Sequence, residues 1–169
     1  MAPVTVYNPE AVYTAGNTLI GDAPAIADIQ APTVAELTAS TVFQCATEAF
    51  GSSTNVSKGT RKMICDTVGK QRVTNREYQM ENLTIMYGNP QDANAFLDTF
   101  TLGSTHYFWT RPGTDDATAV AAADKVQVIK ATIDACDLKQ ISTADGDEFA
   151  AVISVSVVDR TQLLVAVAA

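Results

Sequence analysis

The chain has 169 residues and a mass of 17.9 kDa, room for one domain with one core, which excludes two enzyme-sized domains. Hydrophobic residues at 47% and charged residues at 18% exclude a disordered chain, and no apolar run approaches the ~18 residues of a membrane-spanning helix, so no membrane partner is expected. With 11 Lys and Arg against 19 Asp and Glu the net charge is -8, which excludes a surface that grips phosphate backbones.

Residues 1–40 hold Pro3, Pro9, Pro24 and Pro32 and no cation, a pattern that predicts an extended N-terminal arm. A short helix is expected after Ala31, with Pro32 near its first turn, where a missing N–H is harmless. The first residues carry neither a basic nor an apolar leader region, so synthesis in the cytosol is expected. Residues 42–46 combine β-branched and aromatic side chains and predict a strand, closed by turn chemistry at Phe50-Gly51-Ser52-Ser53. Residues 51–60 are polar and predict a loop leading into a short strand at Met63-Ile64-Cys65.

Residues 76–87 form the most informative strand. Tyr78 and Met80 share one parity and Leu83, Ile85 and Tyr87 the other, so a β-bulge, or a passage between packing environments, is expected near Glu81-Asn82. Asn89 as N-cap and Pro90 at the first helical position open a helix over about 89–102. Ala93, Phe96, Leu97 and Phe100 give it one apolar face, and Gly103 is placed to end it. A strand at 105–111, a loop at 114–124 and three strands at 125–133, 148–158 and 162–167 follow. Val165 and Val167 fit either a last strand of the chain's own sheet or an arm added to a neighbour. Asp145-Gly146-Asp147-Glu148 is a hairpin turn signal and lacks the ligand spacing of a calcium loop. The fold class is therefore mainly β, an antiparallel sandwich or barrel with one packed helix.

Catalytic chemistry finds little support. His106 is the only histidine, which excludes multi-histidine metal sites, and no Gly-x-Ser-x-Gly elbow, phosphate loop or dinucleotide fingerprint is present. No catalytic residue, metal site or cofactor is expected, and His106 reads as a structural residue on a strand. Cys45, Cys65 and Cys136 are odd in number and widely spaced, which fits a reducing compartment and buried small hydrophobes.

Charge is segregated. Lys58, Arg61, Lys62, Lys70, Arg72 and Arg76 lie within nineteen residues opposed only by Asp66, so this window is +5 and the rest of the chain -13. Two readings stand for it. One is a solvated basic hairpin; the other is a head-to-tail contact with the acidic face of an identical neighbour, which generates rings or open stacks.

The order of parts resembles a family: the segment 28–37 leading to Val42-Phe43-Gln44-Cys45, the basic stretch 65–76, Tyr87-Gly88-Asn89-Pro90, residues 103–111 and Asp124-Lys125-Val126. Across nearly the whole chain this arrangement resembles the major tail tube proteins of long-tailed, siphovirus-type bacteriophages, most of all those of phages infecting actinobacteria. The resemblance implies a single tail tube domain over 1–169, with residues 1–40 as the arm and 51–76 as the basic loop or hairpin. It implies a structural, non-enzymatic virion protein, assembled in the bacterial cytoplasm, that forms hexameric rings stacked into a tube. The implied partners are further copies of the chain and other tail proteins (tape measure, tail terminator and distal tail protein), with DNA passing through the lumen without specific binding. On this reading Lys58, Arg61, Lys62, Lys70, Arg72 and Arg76 make the contact between rings. The alternative is a virion decoration or carbohydrate-binding β-sandwich module, in which Tyr107, Phe108 and Trp109 would stack on sugars. An enzyme using His106 with an acid such as Asp98 ranks last.

Overall fold

The apolar alternations beginning at residues 105 and 125 pair with each other and form the centre of the molecule. The computed structural model describes residues 14–47, 49–64, 68, 70–86, 97–139 and 149–169. Its elements are β1 (Thr18–Ala23), α1 (Val34–Thr38), β2 (Thr41–Val42), β3 (Ser52–Arg61), β4 (Lys70–Met80), β5 (Leu83–Met86), β6 (Thr105–Pro112), β7 (Lys125–Leu138), β8 (Ala150–Arg160) and β9 (Val165–Ala166). Six strands run in the order β2-β1-β6-β7-β8-β5, all neighbours antiparallel, and β9 pairs with the start of β7. β3 and β4 form a separate two-stranded sheet.

Both faces of the main sheet are covered at β1, β6 and the first half of β7, which is why β6 and β7 bury side chains of either parity. On one face Ile20, Phe108, Ile129, Ala131, Ile133 and Ile153 meet Leu83 and Ile85, with Phe43 and Phe100 closing over them. On the other, Leu19, Ala23, Trp109, Val126 and Val128 pack against Ile26, Leu37 of α1 and Val167. The chain itself shows the curl of the sheet. β2 lies on the β1 edge, yet Thr47, five residues on, bridges to Ile85 of β5 at the opposite edge. Five residues reach at most about 18 Å, so the two edges approach and the sheet is a half-barrel around the first cluster.

Several expectations are corrected. Thr18–Ala23, read as part of an extended arm, is a strand inside the sheet, its short apolar patch paired along its whole length with β6. The strand expected at 42–46 is two residues of β2 followed by a 3₁₀ turn at Gln44–Ala46, because Phe43 turns inward to the core. The loop expected at 51–60 is β3, a strand, and the Met63-Ile64 strand is instead exposed chain beyond its end. Cys45 and Cys136 are exposed rather than buried, and Cys65 lies outside the described residues.

Other expectations hold. The short helix after Ala31 forms with Thr33 as N-cap, one residue after Pro32. The parity change at Glu81-Asn82 is the point where the chain leaves the hairpin sheet and enters the main one. The strands expected at 105–111, 125–133 and 148–158 are β6, β7 and β8, and Val165–Ala166 joins the chain's own sheet. Most of the helix expected over 89–102, including Phe96, lies outside the described residues, as does the turn at 145–148. Its described end is a 3₁₀ turn at Leu97–Thr99, followed by buried Phe100 and by Gly103 at φ +81°.

Candidate assembly interface

β3 and β4 run antiparallel from Ser52↔Met80 to Arg61↔Lys70, ten residues that at about 3.3 Å each extend some 33 Å. Between Ser57 and Lys58 the register shifts, so that Ser57 opposes Asn75 and Lys58 opposes Val73, leaving Thr74 as an extra residue. The Thr74 hydroxyl donates to the Ser57 carbonyl at 3.1 Å and fixes the bulge. Gly59 is required beside it, since a Cβ there would sit 2.8 Å from the Thr74 methyl.

Strand alternation on either side of the bulge sorts the cations. Val56, Lys58 and Thr60 continue the face that begins with Ser52 and Thr54, and Arg76 lies opposite Val56 on that face. Arg61 and Arg72 lie on the other face, and Lys70 is in register opposite Arg61. Lys62 follows the end of β3. Lys58, Arg61, Lys62, Arg72 and Arg76 are all exposed. Among the described residues Asp124 pairs with Arg111 and Asp22 hydrogen-bonds the His106 imidazole, and neither contact uses a hairpin cation. Acids dominate elsewhere: Asp28, Asp98, Asp115, Asp134, Asp137 and Asp159 are exposed on the body of the protein.

Among the described residues the hairpin is tied to the body at its base, where Ser52, Thr54, Tyr78 and Met80 are half-buried and Met80 packs on the first core cluster. Tyr78 and Met80 belong to this base, Leu83 and Ile85 are core, and Tyr87 lies outside the described residues.

Two features outside the hairpin bear on catalysis. Ser104, His106 and Asp22 line up, with Ser104 Oγ 3.0 Å from His106 Nε2 and Asp22 Oδ2 2.7 Å from Nδ1. The acid facing His106 is thus Asp22 and not Asp98. The Ser104 hydroxyl, however, donates to the Thr101 carbonyl at 2.7 Å, and Nε2 also faces the Thr99 carbonyl at 3.2 Å. Its proton is committed to a carbonyl, the imidazole is 7% exposed, and the group ties β1 and β6 to the turn before β6. Phe108 and Trp109 have no exposed surface, so they cannot stack on a sugar, and Tyr107 lies under Lys130 Nζ at 5.6 Å. The carbohydrate-binding alternative loses its aromatic platform for that reason.

Sequence reasoning missed Arg111 and Arg160. Arg111 is fully buried and donates to the carbonyls of Asp115, Thr118 and Ala119 and to Asp124, organising the loop between β6 and β7. An isolated arginine in a sequence carries no signal of that role.

The chain matches the family model described as phage tail tube protein over residues 6–169, nearly its whole length. No curated protein matches it. A β-rich half-barrel carrying a charged projection agrees with that match: the chain belongs to the phage tail tube protein family, structural and non-enzymatic components of the virion tail that polymerise.

Proposed function

We propose that the chain, as a single tail tube domain, assembles into hexameric rings that stack into the tail tube of a long-tailed phage and form the conduit for its DNA. The sequence resemblance supports that tail type and an actinobacterial host. The observation that carries the stacking is the hairpin, a projection in which cations outnumber acids on an otherwise acidic body. Its cations, Lys58, Arg61, Lys62, Lys70, Arg72 and Arg76, meet acids of the next ring in a heterologous contact that repeats along the tube. An acidic body suits a lumen through which DNA slides, because few cations are left to trade counterions with phosphate. The ends of such a tube meet the tail terminator and the distal tail protein, and its lumen holds the tape measure.

The test reverses three cations. Arg61→Glu, Lys62→Glu and Arg72→Glu together are expected to leave the circular dichroism and thermal midpoint unchanged, since all three are exposed, and to abolish sedimenting polymer. Wild-type polymer is expected to weaken as salt rises from about 0.1 M to about 1 M, where the screening length falls from about 10 Å to about 3 Å. Normal tubes from the folded triple variant would overturn the hairpin's role.

A further inference from the structure

The hairpin touches the body through few groups, and one of them reaches both of its strands. Arg160, at the end of β8, donates from Nη1 to Ser52 Oγ at 2.6 Å and from Nη2 to Thr54 Oγ1, both on β3. Its guanidinium also lies over the ring of Tyr78 on β4, 5.2 Å from the centroid. Its Nε is buried without a partner, so the two terminal nitrogens and the ring contact are its whole hold.

The backbone sets that side chain deliberately. Along β7 and β8, Ile133 opposes Val155 and Ala131 opposes Val157, but Lys130 opposes Asp159, so Val158 is an extra residue. Without the bulge Asp159 would follow Val157 on the face of the first core cluster. With it, Arg160 lies opposite Ile129 on that face and Asp159 is turned to the other. Immediately beyond, buried Thr161 donates its N–H to the Val128 carbonyl at 2.9 Å and accepts the Val128 N–H on its hydroxyl at 3.1 Å. A bulge before it and a double clasp after it hold Arg160 in place. Between β4 and β8 a slot of about 600 Å³ runs from Arg76 to Met80 on one wall and from Val155 to Val158 on the other. No ladder of backbone hydrogen bonds spans this slot to fix the hairpin.

We propose that Arg160 is a positioning residue for assembly: it fixes the angle at which the basic hairpin leaves the sheet, and so the place where its cations arrive on a neighbouring copy. This rests on the stacking role of the hairpin. A planar, two-armed donor over an aromatic ring suits the task better than a lysine, whose single ammonium cannot serve both hydroxyls and the ring at once.

The experiment reads the angle and the assembly separately. In a full-length background with Cys45, Cys65 and Cys136 replaced by serine, spin labels at Thr60→Cys on the hairpin and Thr105→Cys on the sheet report a distance distribution. It is expected to be narrow with Arg160, broad in Arg160→Ala, and intermediate in Arg160→Lys. Ser52→Ala with Thr54→Ala keeps the arginine and removes its acceptors, and is expected to broaden the distribution as well, which covers a failure of Arg160→Ala to fold. In sedimentation, each variant that broadens the distance is expected to raise the critical concentration for polymer about tenfold or more, the scale of losing charge-assisted hydrogen bonds. A narrow distribution in a folded Arg160→Ala protein, or broad distances with unchanged assembly, would overturn the proposal. Failure of the wild-type protein to assemble would count against the stacking role, while the distances would still decide whether Arg160 holds the hairpin.

Discussion

Two residues carry much of the local architecture, and neither is apolar. Gly21 on β1 lies against the indole of Trp109, where a Cβ would come within 2.8 Å of ring atoms. The indole N–H in turn donates to Ser40 Oγ at 2.9 Å, after the end of α1, so the ring cannot retreat freely. Gly21→Ala is expected to destabilise the fold by about 1–3 kcal/mol, the cost of overpacking, measured by urea unfolding. Arg111→Leu removes the donor of four hydrogen bonds and leaves Asp124 without its ion pair. A loss of about 3–5 kcal/mol is expected, with faster proteolysis inside residues 114–124. Wild-type cleavage rates in that loop would show that Arg111 does not organise it. Neither role was legible in the sequence, because Gly21 is explained by a ring eighty-eight positions away and Arg111 by carbonyls that only the folded loop gathers. His106 was legible as a structural residue; its partner Asp22 was not, since strand pairing alone brings the two together.

At the scale of elements, α1 shows how five residues are made to hold. Thr33 and Glu36 form a capping box, and Glu36 also accepts the N–H of Ala27 at 2.8 Å. The N–H groups of Ala27 and then Thr33 hold the Glu36 carboxyl below its ordinary value of 4.5, against a partial burial that pushes it up. Asp124 is lowered from 3.8 chiefly by the N–H of Ala121, with help from Arg111. A depressed folded pKa gives stability that is present above the ordinary value and lost as pH falls through the folded one. The thermal midpoint is therefore expected to decline as pH drops below about 4, and the gap between wild type and Glu36→Gln to close over that fall. A gap that stays constant would contradict the assignment. The sequence signal for this helix was Pro32 near its first turn; the capping box of Thr33 and Glu36 that holds it went unread. β3 was illegible for the opposite reason, because a strand with solvent on most of both faces shows no apolar alternation, and its composition reads as loop. The break at Glu81-Asn82 was legible because a change of side-chain parity is itself the mark of a change of surroundings.

For the whole molecule, the charge segregation seen in the sequence becomes a spatial one: the cations cluster on the hairpin, and the exposed acids lie mostly on the body from which it projects. The cluster was legible as a window of residues, but its division between two faces was not, since that depends on the bulge at Thr74. Likewise nothing in the sequence sets Arg160 apart as the anchor, because its face is chosen by the bulge at Val158. The charge-reversal and hairpin-angle experiments belong to this scale, and both presuppose that the protein polymerises through specific, closed geometry. Negative-stain electron microscopy of the purified protein, across a series of concentration and salt, tests that most directly. Rings and hollow tubes of uniform diameter, favoured by concentration and dispersed by salt, are the predicted result; compact monomers under every condition, or solid fibres without a lumen, would contradict it.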